Sequence, residues 1–339
     1  MNTCSNFKSP WWLPGGHLQT IWPSIVKRKC TIKLKRERLI LPDGDFIDLD
    51  WTVGNETSPL VIIMHGLEGS VDSNYAKGML CALKKAGLQP LLMHFRGCSG
   101  EHNTAIRSYH AGETTDFKHL VQVLKKRFPS RPIAAVGFSL GGNVLLKYLG
   151  ESQSDTPICC AVAVSPPFLL NRFADRIQKG FSSIYQKRLL SQLKKKLLDK
   201  NKQTKLPIDI DKIQHIKTFW EFDNLITAKI HHFKNSENYY KNSSSFYYVQ
   251  NIKTPTLILH ASNDPFLYPD AIPDPSKLPP QVMLELQKSG GHMGFMTGRM
   301  PWKPKYWLEE RVPRFITKEL LLTYSEHFSD QSVQESQAD

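Results

Sequence analysis

Five uninterrupted apolar runs constrain the fold of this chain more than any other feature. Each is too continuous for a strand with one face in water, and segments with helical spacing separate the runs. Buried strands that alternate with helices are typical of a mostly parallel sheet with helices on both faces. The runs are residues 60–64, 90–94, 133–137, 159–164 and 256–260.

Three further segments complete an eight-stranded sheet. Residues 39–41 and 46–51 flank the turn signal Pro42-Asp43-Gly44 and predict an antiparallel hairpin. Residues 282–286 predict a last strand at the sheet edge. Apolar residues three and four positions apart predict helices over residues 73–86, 114–128 and 140–149.

Residues 166–251 interrupt this alternation of strands and helices, because they place far more residues between two strands than one crossover helix needs. We interpret them as a helical lid with a helix over 187–200. The α/β core then comprises residues 37–165 and 252–325, where a closing helix over 302–324 is broken or kinked at Pro313. Residues 1–36 are expected to pack on the core, and 326–339 form a polar tail.

Positive charge is concentrated in the lid. Of the net charge of +13, residues 171–205 carry +9, from eleven Lys or Arg and two Asp, so the remaining chain carries only +4. No motif that reads nucleic acid accompanies Lys194, Lys195 and Lys196, so we expect no nucleic-acid partner. Leucines beside these lysines leave peripheral contact between the basic lid and an anionic membrane as an alternative to a solvated lid face.

The six cysteines show neither metal-binding spacing nor the pattern of a secreted disulfide scaffold, and we interpret them as reduced thiols. The first residues lack a signal peptide, and no apolar window could span a bilayer. A cytoplasmic location is therefore expected. Trp11, Trp12 and Trp22 could enter a membrane interface, but packing over the core is favoured.

The strongest chemical signal is Gly137-Phe138-Ser139-Leu140-Gly141, which follows a predicted strand and precedes a predicted helix. This context is that of a nucleophile elbow, a sharp turn that presents a serine at the strand tip. Flanking glycines are required there because side chains would strike the neighbouring strand and helix. Ser139 is therefore the candidate nucleophile.

A serine needs a histidine to take its proton and a carboxylate to orient that histidine. On a sheet of this type the chain order is serine, acid, histidine. Asp264 follows a late strand and His292 follows the last one, so we predict both as partners of Ser139. Asp270 and Asp274 are weaker candidates for the acid, and the histidines at less suitable positions are His94, His110, His231, His232 and His260.

Two backbone amides are needed to bind the oxyanion of the tetrahedral intermediate. Leu140 follows the nucleophile and supplies one, and Leu67 in the turn after residues 60–64 is predicted to supply the other. Arg96 could bind an anionic substrate, but a structural role is favoured. Cys98 has no base partner in the sequence, so we do not predict it as a nucleophile.

Several motifs occur together along nearly the whole chain. They are His17-Leu18-Gln19-Thr20, Leu41-Pro42-Asp43-Gly44-Asp45, His65-Gly66-Leu67-Glu68-Gly69-Ser70, His94-Phe95-Arg96-Gly97-Cys98-Ser99-Gly100, Tyr109-His110-Ala111-Gly112-Glu113-Thr114, the elbow, Phe222-Asp223 and Gly290-Gly291-His292. With these motifs the chain resembles the YheT-like branch of the α/β-hydrolase superfamily, which is related to mammalian α/β-hydrolase domain proteins. The resemblance implies an ester hydrolase whose triad is Ser139, Asp264 and His292. The mammalian relatives begin with a membrane-spanning helix that is not found here, so the bacterial-type soluble form fits better.

The function expected from the sequence is that of a carboxylesterase-type serine hydrolase acting through an acyl-enzyme on short- to medium-chain esters. No cofactor or metal is expected to take part. Two alternatives stay open: a lipase- or phospholipase-like hydrolase at an anionic membrane surface, and a non-catalytic binding protein on a hydrolase fold. The expected partner is a small ester or lipid substrate.

Overall fold

The apolar runs form the central strands of an eight-stranded sheet in the computed structural model, which describes residues 7–26, 30–54 and 57–335, with side chains up to residue 322. Residues of the central strands are almost entirely excluded from water on both faces of the sheet, as continuous apolar runs require. The strands are β1 (Leu34–Ile40), β2 (Phe46–Thr52), β3 (Leu60–Met64), β4 (Gln89–Met93), β5 (Ile133–Phe138), β6 (Ile158–Val164), β7 (Thr256–Ala261) and β8 (Val282–Gln287).

The strand order is β1-β2-β4-β3-β5-β6-β7-β8. β1 and β2 form the predicted antiparallel hairpin, β2 pairs antiparallel with β4, and every later pairing is parallel. The predicted fold class is confirmed. The carboxyl ends of the parallel strands therefore meet at one edge, which is where ligands bind in sheets of this type.

Helices cover both faces of the sheet. α2 and α11 pack on one face, and α3, α4 and the lid helices pack on the other. Two short strands, β9 (Met296–Thr297) and β10 (Lys305–Tyr306), pair beside the sheet. The helices are α1 (Gly15–Ile25), α2 (Asn74–Lys85), α3 (Thr115–Arg127), α4 (Leu140–Ser152), α5 (Leu170–Ile177), α6 (Ser182–Gln203), α7 (Ile210–Ile213), α8 (Phe219–Phe222), α9 (Ala228–Ile230), α10 (Ser236–Ser243) and α11 (Leu308–Glu335).

Helices α5 to α10 form the insertion between β6 and β7. α6 is longer than the predicted helix: it begins at Ser182, and the polar residues 201–203 continue its last turn. α11 begins six residues later than predicted and passes through Pro313 without ending, and it includes the start of the polar tail. Within the described residues, no helix has the length and apolar character to cross a bilayer.

Two features of the first 36 residues were not predicted as such. Residues 15–25 form a helix, and β1 begins at Leu34, inside the segment assigned to the N-terminus. Cys30 forms a disulfide with Cys81 of α2, so the interpretation of all six cysteines as free thiols is wrong for this pair. The pairing depends on a tertiary contact between residues 51 positions apart, which sequence spacing does not reveal. Cys4 lies outside the described residues.

Candidate active site

Ser139 lies at the tip of β5, directly before α4, in the turn that the sequence predicts. Its backbone has φ 50° and ψ −115°, a left-handed conformation that non-glycine residues rarely adopt. The Ser139 N–H donates a hydrogen bond of 2.8 Å to the Val164 carbonyl at the end of β6, which fixes the turn to the neighbouring strand. The strain is typical of a functional turn.

The two flanking glycines are required by close packing on both sides of this turn. A Cβ at Gly137 would collide with the backbone of Gly141 and lie 2.7 Å from the Gly142 Cα at the start of α4. A Cβ at Gly141 would lie 2.6 Å from the carbonyl oxygens of both Met64 and His65 at the end of β3. The turn can therefore be this tight only with glycine at both positions.

The three predicted triad residues meet at this edge of the sheet. His292 Nε2 lies 2.9 Å from Ser139 Oγ, and His292 Nδ1 lies 2.7 Å from Asp264 Oδ2. Asp264 follows β7 and His292 follows β8, so the carboxyl ends of three strands supply the three groups. The arrangement can move a proton from the serine hydroxyl to the imidazole while the carboxylate holds the ring.

Aromatic packing and charge hold the His292 ring and the Asp264 carboxylate in place. The His292 ring stacks on Phe266 with 4.1 Å between ring centroids, and the Phe266 N–H donates to Asp264 Oδ1 at 2.8 Å. Burial alone would raise the pKa of Asp264. The adjacent His292 outweighs burial through its charge and its hydrogen bond, and the pKa of Asp264 lies below its ordinary value. The carboxyl is therefore ionised at neutral pH and able to orient the histidine.

The weaker candidates for the acid lie outside this relay. Asp270 is exposed and pairs with Arg172 of α5, while Asp274 accepts a hydrogen bond from the Ser276 N–H in a surface turn. Of the competing histidines, His260 comes nearest, with Nε2 4.0 Å from Asp264 Oδ2. It is completely buried on β7, and burial lowers its pKa. His260 therefore serves as a neutral neighbour of the acid.

The remaining histidines have other hydrogen-bond and ring partners, although His110 lines the cavity that contains Ser139. His94 Nε2 lies 2.7 Å from Asp50 Oδ2 in the hairpin, and the His110 ring packs against His231 in the lid. Burial lowers the pKa of both His110 and His231 to about 3, which keeps these rings neutral. His232 follows in the same lid turn at φ 59°.

The turn after β3 places Leu67 next to the elbow. A Cβ at Gly66 would lie 3.3 Å from the Ser139 Cβ, so the backbone passes directly over the serine. The amides on either side of Leu67 are held by tyrosine hydroxyls: Gly66 N–H donates to Tyr75 at 2.8 Å, and Glu68 N–H donates to Tyr109 at 3.0 Å. Leu67 and Leu140 both line the cavity that contains Ser139.

The side chains of Arg96 and Cys98 contact other elements of the fold. Arg96 is 1% exposed and donates two hydrogen bonds of 2.7 Å to Asp116 of α3 and one of 2.9 Å to Asp45. Cys98 Sγ lies 2.9 Å from Lys196 Nζ of α6, and burial raises the pKa of this thiol. Neither residue lines the Ser139 cavity.

A cavity of about 90 Å³ lies between Ser139 and the lid. Its walls are mainly apolar, with leucines and aromatic rings from α5, α6, α8 and α10. The buried carboxyl of Asp223 accepts hydrogen bonds of 2.7 Å from the hydroxyls of Thr227 and Tyr240. Burial outweighs these hydrogen bonds and raises the pKa of Asp223 to about 6. Apart from this carboxyl, the mainly apolar walls suit an apolar group beside Ser139.

The sequence did not reveal how α1 supports residues 290–296, the segment after β8 that carries His292. We call this segment the histidine loop. Thr20 Oγ1 accepts a hydrogen bond of 2.9 Å from His292 N–H, and Gln19 Oε1 accepts one of 2.8 Å from Met296 N–H. Asn263 Oδ1 accepts from Gly291 N–H at 3.0 Å, and Ser165 Oγ accepts from Met293 N–H at 3.0 Å. In the sequence, Gln19 and Thr20 stand out only as part of the motif at residues 17–20, which by itself indicates no role for them.

Nothing in the described part of the chain resembles a metal centre, since no group of three or more His, Cys, Asp or Glu side chains there is placed to hold an ion.

Comparisons with known proteins show the family to which this chain belongs. A family described as alpha/beta hydrolase fold matches residues 59–299. Escherichia coli YheT, whose name designates a candidate esterase, is 42% identical over 89% of this chain and 90% of that protein. The monoacylglycerol lipase of Saccharomyces cerevisiae is 33% identical over 77% of this chain and 60% of that protein, and human phospholipase ABHD3 is 26% identical over 87% and 75%.

Solved structures show the same fold. The Pyrococcus furiosus esterase Pf2001 matches with a TM-score of 0.56 at 19% sequence identity. The match covers 86% of this chain and 96% of that structure.

Proposed function

Because this chain belongs to the α/β-hydrolase family and to its YheT-like branch, we propose that it hydrolyses carboxylic esters with Ser139 as the nucleophile. One observation carries the proposal: His292 Nε2 lies 2.9 Å from Ser139 Oγ while its Nδ1 lies 2.7 Å from Asp264. The names of the relatives, an esterase, a monoacylglycerol lipase and a phospholipase, all describe enzymes of ester bonds and support this reaction class.

In the proposed mechanism, His292 Nε2 takes the Ser139 proton as Oγ forms a bond to the ester carbonyl carbon. The backbone N–H groups of Leu67 and Leu140 bind the resulting oxyanion. His292 then gives the proton to the departing alcohol, which leaves an acyl group on Ser139. A water molecule, deprotonated by His292, attacks the acyl carbon of this acyl-enzyme. The bond from Ser139 Oγ to the acyl group then breaks, His292 returns the proton to Oγ, and the acid is released. Asp264 keeps the ring oriented and stabilises its positive charge.

The cavity supports a short- to medium-chain acyl group. Its volume of about 90 Å³ is small beside the roughly 300 Å³ at which sites for drug-sized ligands begin. A second cavity of about 60 Å³ adjoins it, and Tyr109, Leu193, Phe222 and Thr227 line both. A longer chain would need the lid to move.

The second candidate function is hydrolysis of a lipid ester at an anionic membrane surface. The exposed apolar residues described in the next subsection favour it, as do the lipase and phospholipase names among the relatives. A non-catalytic binding protein is less well supported, because such a protein would have no need for an aligned serine, histidine and carboxylate.

Turnover of p-nitrophenyl esters of graded acyl length tests this proposal, with a monoacylglycerol and a phospholipid measured beside them. We expect the highest kcat/KM for short- to medium-chain esters. Ser139→Ala should reduce turnover by about 10³-fold or more and abolish fluorophosphonate labelling, because it removes the nucleophile but little packing. Full turnover by a clean Ser139→Ala preparation would disprove the mechanism.

A further inference from the structure

Helix α1 has the reverse of the usual burial pattern. Its buried residues are Gly16, Gln19 and Pro23, whereas Leu18 is 44% and Ile25 is 62% exposed. Ile21 and Trp22 lie between these two on the helix surface and are half-buried. Positions 18, 21, 22 and 25 are spaced to form one stripe. A helix that only packed on the core would turn this stripe inward.

The hydrogen bonds to the histidine loop explain this orientation. Gln19 and Thr20 face the protein because they bind the backbone of Met296 and His292. Gly16 fits against the Asn263 carbonyl, where a Cβ would collide. With this rotation fixed, the apolar stripe must face away from the core.

Neighbouring segments extend the exposed apolar area. Trp11 Nε1 donates a hydrogen bond of 3.0 Å to the Arg299 carbonyl, which joins the start of the chain to the exposed turn containing Met300 and Trp302. On the other side, the His17 ring lies 4.7 Å from the exposed Phe181 ring at the start of α6. We define the α1 surface as Trp11, Leu18, Ile25, Phe181, Ile184, Met300 and Trp302.

Exposed cations lie next to residues of the α1 surface. Lys8 is exposed three positions before Trp11, and Arg299 and Lys303 are exposed beside Met300 and Trp302. Residues 288–308, which include the turn with Trp302, contain four Lys or Arg and no Asp or Glu. An apolar surface with a cationic border is complementary to anionic headgroups above an acyl layer, and tryptophan favours that boundary.

The middle of α6 offers no comparable apolar face. Leu190 and Leu197 are buried, and Leu189, Leu193 and Leu198 pack against the same core. Lys194 Nζ donates to backbone carbonyls at Gln214 and Ile216, and Lys196 Nζ lies 3.1 Å from Glu68 Oε1. The leucine stripe predicted for this helix therefore faces inward.

We propose that the α1 surface docks on an anionic lipid bilayer. The apolar side chains enter the headgroup boundary, and the surrounding Lys and Arg contact the headgroups. A series of ring contacts leads from His17 through Tyr185 and Phe266 to His292, so the docked face lies beside the catalytic loop. Docking does not require catalysis, so it can be tested in a protein without the nucleophile.

The test uses the full chain carrying Ser139→Ala and measures co-sedimentation with vesicles. Vesicles of phosphatidylcholine mixed with phosphatidylglycerol are compared with phosphatidylcholine alone, at low and high salt. We expect binding to the anionic vesicles that weakens as salt increases. Replacing both Leu18 and Ile25 by Ser should weaken binding about tenfold or more, and replacing both by Glu should weaken it further.

Leu321→Glu is the matched control, since Leu321 is a helical leucine that is 64% exposed, close to the 62% of Ile25, and it lies beside Ala86, at the end of α2 away from α1. It should bind like the parent. Unchanged turnover of a soluble ester, measured with Ser139 restored, shows that the Leu18 and Ile25 variants are folded. Undiminished binding by these variants would overturn the proposal. So would loss of binding in Lys195→Glu alone, or a dimer in solution that the Leu18 and Ile25 changes abolish.

Discussion

At the scale of single residues, geometry separates two aspartates that lie six positions apart. Asp264 is 4% exposed and contacts His292, whereas Asp270 is exposed and contacts Arg172. Only the first can fix the tautomer of the imidazole and stabilise its charged form. The position of Asp264 directly after β7 causes this difference, because Asp270 lies farther along the loop and away from the serine.

Asp264→Asn should reduce kcat for a soluble ester by on the order of 10²-fold or more, because an amide cannot hold the imidazole in the required tautomer. Steady-state kinetics would measure this effect. Asp270→Asn is the matched control and should stay within about twofold of the wild type. If Asp270→Asn were the damaging change, Asp264 would not be the acid.

At the scale of elements, the lid contacts the turn that carries Leu67. Lys196 of α6 reaches Glu68 Oε1, and the Tyr109 hydroxyl donates to the same oxygen at 2.6 Å. Glu68 directly follows Leu67 and has φ 52°. A shift of α6 would therefore displace the amide proposed to bind the oxyanion, and we expect Lys196 to act as a positioning residue.

Lys196→Met should lower kcat about tenfold with little change in KM, because a displaced oxyanion donor weakens binding of the transition state more than binding of the substrate. Initial rates over a range of concentrations of a short p-nitrophenyl ester would separate the two constants. Lys195→Met provides the control, since Lys195 is exposed on the same turn of α6. An effect confined to KM would show that Lys196 affects substrate binding instead.

At the scale of the whole molecule, a buried ionic cluster joins the β1–β2 hairpin, the turn after β4, and α3. Arg96 lies at its centre, between Asp45 and Asp116. Burial alone would raise the pKa of Asp45. Hydrogen bonds from Asn103 and Thr104 and the charge of Arg96 outweigh burial and lower it to about 2. Because the folded state favours the ionised form, Asp45 stabilises the fold above its ordinary pKa of 3.8.

Urea unfolding across the acid range should show the loss of this stabilisation. The free energy of unfolding is expected to fall as pH decreases from about 4 to about 2, as Asp45 becomes protonated. Asp45→Asn should be less stable than the wild type at pH 7 and show a smaller decrease across that window. Asp270→Asn serves as the control, because its ion pair with Arg172 is exposed and contributes little. Identical acid profiles for Asp45→Asn and the wild type would contradict this role.

The sequence alone determined the number of strands in the main sheet and their order along the chain, though not the start of β1, together with the elbow and the chain positions of Ser139, Asp264 and His292. Each depends on local patterns: continuous apolar runs, glycines around Ser139, and polar residues directly after strands. Because parallel strands end at one edge, residues 125 or more positions apart could be predicted to meet. The C-terminal ends of α6 and α11 were predicted too early, since the polar residues there carry little periodic signal.

Only the tertiary structure decided which face of α1 is buried, which cysteines pair and what Lys196 contacts. Thr20 meets His292 across 272 residues, and Lys196 meets Glu68 across 128. Such contacts depend on how separate elements pack. The apolar stripe of α1 would by itself predict a helix facing the core. The hydrogen bonds of Gln19 and Thr20 to the histidine loop turn it outward, because buried backbone N–H groups need acceptors.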